Sequence, residues 1–182
     1  MNTDRRINKT KKAIQKSFLN ILENKNITEV TVADIVKDAD IARSTFYLHY
    51  ADVYDLYEQI VIELMDELTD RFDKLYPKGP AASNFMQLME ELINYIVEQK
   101  ELFYLLVKKN SENKLIDNLT DIFTNRVLTI EKIDKNNKKE YYEVLFTVTG
   151  AISLFINWLM KDREMKPSEL SNILNDIILK LD

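Results

Sequence analysis

The side chains best equipped to act on a partner lie in residues 43–49, Arg-Ser-Thr-Phe-Tyr-Leu-His. Arg43 offers a two-pronged donor that matches guanine O6 and N7. Ser44 and Thr45 offer short hydroxyls that can read or position a base edge, and Leu48 offers an apolar tip for a thymine methyl. From the fold these four require one thing, a helix whose outer face has no core to pack against. Such a helix is built to enter the major groove of double-stranded DNA. Thr31 and Lys37 add a hydroxyl and an ammonium just upstream as phosphate contacts.

Enzyme chemistry is poorly supplied. The chain has no cysteine, one histidine, no glycine-rich phosphate loop and no carboxylate pair in a metal-binding helix motif. His49 alone cannot hold a metal, so neither metal nor cofactor is expected. Without cysteine there are no disulfides, and the charged amino-terminal segment leads into no apolar signal region. Together these predict a cytoplasmic protein.

The positioning elements follow from local signals. Thr31 and Asp34 read as a capping box that opens a helix, with Val30 and Ile35 as its hydrophobic staple and Val32, Ile35, Val36 and Ala39 inside. The next helix spans about residues 43–49, with Phe46 turned inward. A first helix over about residues 4–23 gathers Ile7, Ile14, Phe18 and Ile21 on one side and Arg5, Lys9, Lys12 and Lys16 on the other. That cationic row is either a solvated face or a phosphate contact. Phe18, Ile35, Phe46 and Tyr50 form the expected head core. Asp52 and Asp55 repeat the capping pattern and start a fourth helix that can run to about residue 74.

Composition sets the class. Of 182 residues, 46% are hydrophobic and 30% charged, which fits a globular chain. Two glycines and three prolines are too few turn residues for hairpin-joined sheets. The expected fold is therefore all-α, about nine helices: a three-helix helix-turn-helix head over residues 1–50, then an antiparallel helical ligand-binding and dimerisation domain over 51–182. The net charge of −5 is unevenly spread. Residues 1–50 hold nine Lys/Arg against six Asp/Glu, a balance of +3, whereas residues 51–182 hold sixteen against twenty-four, a balance of −8. A basic head on an acidic body suits a nucleic-acid partner, since the body's charge keeps DNA at a distance.

The body divides at Tyr76-Pro77-Lys78-Gly79-Pro80. Beyond it, Phe85, Leu88, Met89, Leu92, Ile93, Ile96 and Val97 recur at helical spacing, and further helices are expected at about 100–109, 112–133, 140–161 and from 167. Val144 to Met160 is short for a membrane span and broken by Thr147, Thr149, Ser153 and Asn157, so it reads as a buried helix and no membrane partner is expected. Over 140–161 one face reads Tyr142, Leu145, Phe146, Thr149, Ile152, Ile156, Leu159 and the other Tyr141, Val144, Val148, Ala151, Phe155, Trp158. Two apolar faces imply burial nearly all round, one against the chain's own core and the other against a partner, the alternative being a large monomeric core. Val148, Ala151, Phe155 and Trp158, with Leu170, Leu174 and Ile177 of the last helix, are the expected homodimer interface, as a four-helix packing about a twofold axis. Phe85, Met86, Met89, Tyr95, Phe103, Tyr104, Phe123 and Tyr142 could line a cavity, but such residues at helical spacing are more often plain core, and the ligand pocket stays unassigned.

Arg43-Ser44-Thr45-Phe46-Tyr47-Leu48-His49-Tyr50, followed by Asp52 and Leu56, resembles the TetR family of bacterial transcriptional regulators. The resemblance covers the whole chain. It is strongest over Thr31 to Leu56 and weaker from Ala151 to Leu170, and the body is similar to a carboxy-terminal type of Firmicute members. It implies a DNA-binding head, a homodimer, a palindromic operator and, in many members, a small-molecule effector in the carboxy-terminal domain. By matching family positions, Tyr47 and His49 touch phosphate. Three positions depart from the pattern: Asp40 for the usual turn glycine, Ala42 for a Ser or Thr cap, and Val53 for a lysine. The expected function is a sequence-specific regulator, a repressor relieved by an effector. The alternatives are an activator, or a ligand- or partner-sensing protein with a weakened head.

Overall fold

Capping bonds decide where the first helices begin. Thr31 Oγ1 accepts from the Asp34 N–H at 3.2 Å, and Asp34 Oδ2 accepts from the Thr31 N–H at 3.1 Å, so two donors at the helix start are satisfied reciprocally. Lys25 Nζ reaches the same carboxylate oxygen at 3.0 Å. The Lys25 and Thr31 bonds together hold the Asp34 carboxyl below its usual range. The helix they open, α2 (Val32–Asp38), follows α1 (Asn2–Leu22) and a short 3₁₀ turn at Ile27–Glu29. It closes in a Schellman turn, where the Ile41 N–H meets the Val36 carbonyl at 3.0 Å and Asp40 takes the left-handed position at φ 52°. Aspartate tolerates that backbone better than most residues, so the turn survives the missing glycine.

Next come α3 (Arg43–Tyr47) and α4 (Val53–Leu75). Ala42 precedes α3 in extended backbone and supplies no side-chain cap. Asp52 Oδ1 accepts from the Tyr54 and Asp55 N–H groups, both at 2.8 Å. The Asp55 carboxylate turns back to the Ala51 N–H at 2.7 Å, one residue earlier than a capping box places it.

The computed structural model describes residues 2–76, 85–109, 114–161 and 164–181, which hold nine α-helices and no strand. The chain forms two compact units, Met1–Leu64 and Met65–Asp182. In the first, Ile14, Phe18, Leu22, Ile35, Phe46, Tyr50 and Leu56 close a core without exposed members. Ser17 lies within it and donates to the Ile35 carbonyl at 3.0 Å, pinning α1 to α2. Two expectations for α1 shift. Ile7 is exposed, because it lies about 10 Å further along the axis than Ile14. Leu22, rather than the half-buried Ile21, completes the buried row.

The second unit holds the rest of α4, then α5 (Met86–Glu98), α6 (Lys100–Lys109), α7 (Lys114–Ile130), α8 (Lys138–Lys161) and α9 (Pro167–Leu181). The expected break at 77–80, and the residue-112 start of the seventh helix, lie outside the described residues. Helix α9 packs on α5 and α8, and α8 packs on α7. The Phe85 N–H donates to Asn175 Oδ1 at 3.1 Å, a buried bond that joins the start of α5 to α9. Arg71 pairs with Glu91 and stacks over the Tyr95 ring at 4.4 Å, and Arg126 pairs with Asp73. Helix α7 ends in a second Schellman turn, with Ile133 N–H on the Leu128 carbonyl at 2.9 Å and Lys132 at φ 57°.

Helix α8 departs from the expected burial all round. Only Ile152, Trp158 and Leu159 along it are buried, while Tyr142 and Phe146 stand exposed, Phe146 at 68%. It is the one helix among the described residues long and apolar enough to cross a membrane by length and composition, with a mean hydropathy of 1.5. Its two faces are also exchanged in part. Val144, Val148, Ala151 and Phe155 look into the unit, and Tyr142, Phe146 and Thr149 do not. Both stripes are apolar, so periodicity alone gives no reason to choose between them.

Candidate functional site: nucleic-acid interface and interior cavity

The head presents its chemistry on the outside of a filled core. Phe46, fully buried, and Tyr50 fix the inner side of α3 and the turn after it, with ring centroids 5.7 Å apart. This packing turns Arg43, Ser44, Tyr47 and Leu48 outward, and leaves Thr45 and His49 half-buried. Leu48 is 81% exposed, so its apolar tip is open to a partner. Arg43 Nη2 donates to Tyr47 Oη at 3.3 Å, and its guanidinium carbon lies 5.7 Å from the Tyr47 ring centre. The arginine is thereby held along the face instead of sweeping through solvent.

The flanking groups differ in availability. Lys37, in the last turn of α2, is exposed. The Thr31 hydroxyl is already engaged by Asp34, donating to its carboxylate at 2.9 Å. Val53 is buried and packs in the head, so the position carries no cation. Tyr50, behind the face, has its hydroxyl buried beside Gln15, whose amide is itself given to Glu63 at 2.8 Å. Desolvation, then the Glu63 charge, pushes the Tyr50 phenol up to about 12.

The second unit holds its chemistry inside. A cavity of about 630 Å³ opens between α4, α5, α6, α7, α8 and α9. Phe85, Met89, Phe103 and Phe123 line it, as do Phe72 and Tyr76 of α4. Met86, Tyr95, Tyr104 and Tyr142 do not. Rings pack edge to face and tilted along one wall, with Phe72 4.9 Å from Phe123 and Tyr76 5.7 Å from Phe85. Sequence reasoning missed the largest contributor, the Val144–Leu159 face of α8. The row Val144, Val148, Ala151 and Phe155 is visible in the sequence but reads equally well as an interface.

The seven residues expected at a dimer interface have three fates. Val148, Ala151 and Phe155 form cavity wall. Trp158, Leu170 and Leu174 are buried within the single chain, and Trp158 Nε1 donates to the Met165 carbonyl at 2.9 Å. Little of their surface remains for a second chain. Ile177 is exposed, together with Ile173 of the same helix. Among the described residues, no group of three or more His, Asp or Glu side chains is placed to hold a metal ion.

Comparison with known proteins agrees with this architecture. A family model of the TetR type, described as "Transcriptional regulator C-terminal region", matches residues 83–180. An uncharacterised helix-turn-helix-type transcriptional regulator of Bacillus subtilis (strain 168), YxbF, is 38% identical over 71 residues, covering 36% of this chain and 19% of the relative. The match thus spans about a fifth of that relative's length. A TetR-family regulator from Streptomyces coelicolor superimposes with a TM-score of 0.71 at 20% identity, over 96% of this chain and 80% of its own. A TetR regulator from Streptococcus agalactiae 2603V gives 0.61 at 22% identity, over 98% of both chains. The match to residues 83–180 spans more than half of the sequence, and the chain belongs to the TetR family of transcriptional regulators.

Proposed function

We propose that this regulator binds a palindromic operator as a homodimer, reading bases with α3 and releasing DNA when a small molecule occupies the interior cavity. One observation carries the DNA reading: Arg43 and Ser44 on α3, and Leu48 just past its end, are exposed on the side opposite buried Phe46. Arg43 reads guanine, Ser44 and Thr45 position or read, and Leu48 meets a thymine methyl. Lys37, Tyr47, His49 and Thr31 contact phosphate. The Thr31 contact requires its hydroxyl to be shared with Asp34.

The homodimer draws support from exposed apolar surface. Tyr142 and Phe146 on α8 and Ile173 and Ile177 on α9 cost free energy in water, which a second copy of the same pair of helices would recover. Trp158, Leu170 and Leu174 drop out of that interface because the chain buries them itself, and Val148, Ala151 and Phe155 turn toward the cavity. Control requires two states with different head spacings and an effector that binds one of them better. Relief of repression is the outcome when that state is the one unable to span the operator.

The test is selection from random duplex DNA, followed by anisotropy titration of the winner at several salt concentrations. A palindrome with half-sites about 34 Å apart, and an affinity that falls steeply with salt, is expected. Loss of enrichment with flat salt dependence would sink the DNA reading. It would favour a sensing protein with a weakened head, a reading that rests on uncapped Ala42 and buried Val53.

A further inference from the structure

Tyr47 is held before it holds anything else. Its ring meets the buried ring of Phe46 edge to face, with centroids 5.6 Å apart and planes at 88°. Tyr47 ends α3 and is about half exposed, so its ring is braced on one side and open on the other. Arg43 lies one turn earlier on the same face, at the i, i+4 spacing where helical side chains meet. Its Nη2 donates to the Tyr47 hydroxyl at 3.3 Å, and its guanidinium lies against the Tyr47 ring.

Among the described residues no carboxylate pairs with Arg43. A neutral hydroxyl and a ring face therefore fix the arginine and leave its charge uncompensated. A guanidinium has five N–H donors, so the fork for guanine O6 and N7 survives the bond to Tyr47. The hydroxyl keeps its own proton to donate. Accepting from a cation polarises that O–H and makes it the stronger donor.

We infer that Tyr47 is a positioning residue for Arg43: its hydroxyl donates to a backbone phosphate while it accepts from the arginine that reads the base. The inference rests on α3 being the DNA-reading element, as proposed above. A phosphate contact by itself sets register and carries no sequence information. Here one oxygen ties register to readout, so a protein off its phosphate register also has its arginine off the base. An arginine fixed beforehand loses less freedom on binding as well.

The test compares dissociation constants of the full chain for two duplexes at one fixed salt concentration. One is the operator won from random DNA. The other replaces the base pair at which Arg43→Ala loses its preference. The ratio of the two constants is the discrimination. Tyr47→Phe keeps the ring and removes only the hydroxyl. It should cut the discrimination roughly three- to tenfold, within the span for coupled neighbours. In the Arg43→Ala background, Tyr47→Phe should leave the ratio where Arg43→Ala alone puts it. Equal weakening of both duplexes by Tyr47→Phe, with the ratio intact, would overturn the inference and leave Tyr47 as a phosphate contact alone. A fall in the ratio that persists without Arg43, or no change at all, would overturn it too. So would an Arg43→Ala variant with the parent's preference at every position, since there is then no readout to position. Selection of no operator by the parent chain would instead overturn the DNA reading, and the role of Tyr47 with it.

Discussion

The two units of this chain hide their function in opposite places. The head is filled inside and active outside: Ile14, Phe18, Ile35 and Phe46 leave no exposed core atom, and Arg43 and Leu48 face solvent. The carboxy-terminal unit holds an unfilled centre of about 630 Å³. A filled core is what lets a short helix present side chains in fixed positions, since α3 is five residues long and could not hold itself. An unfilled core costs stability, and persists where space itself is useful.

The strongest way to break this comparison is to truncate one ring in each unit. Phe46→Ala should cost the head about 3–5 kcal/mol, because a closed core leaves a hole. Phe155→Ala, whose ring already borders empty space, should cost less than about 2 kcal/mol, because it has fewer contacts to lose. Denaturant titrations read out by hydrogen exchange in each unit would check both, and equal costs would end the distinction. Next in size, Arg43→Ala should weaken operator binding by about 1–3 kcal/mol and relax preference at one base position. A binding selection on the variant that returns the same site would remove Arg43 from readout.

Smaller effects sharpen the account of the head. The Tyr50 phenol ionises near 12 when folded and near 10 when unfolded, so its neutral form is favoured by folding. That contribution is complete below pH 10 and disappears as pH rises from 10 to 12. Alkaline melting of the head should therefore be blunted in Tyr50→Phe, which loses little at neutral pH because the hydroxyl makes no strong bond. A pH series of thermal melts would show it. Last, Asp40→Gly should raise head stability by up to about 1 kcal/mol by relieving the left-handed backbone at φ 52°. A lower melting temperature would contradict that account of the turn.

The same contrast explains what the sequence made legible. Capping pairs such as Thr31–Asp34, the α3 readout face and the head core are local patterns, and each is written within a few residues. The sides of α8 were not legible. Both its stripes are apolar, and which one faces inward depends on α7 and α9, far away in the chain. Trp158, Leu170 and Leu174 carried the right character for an interface but are used by their own protomer. Asp55 capping Ala51 instead of Asp52 is finer still, set by how the chain leaves Tyr50. A cavity has no pattern at all, since it is the place where side chains fail to meet.

Trp158 is the single tryptophan, seated in the carboxy-terminal unit with its indole N–H on the Met165 carbonyl. Its fluorescence therefore belongs to one unit alone. Phe155 and Leu159, its neighbours on α8, border the cavity. Emission from this residue is a natural optical gauge of what enters the chamber, needing no label, while the head stays dark at the same wavelength.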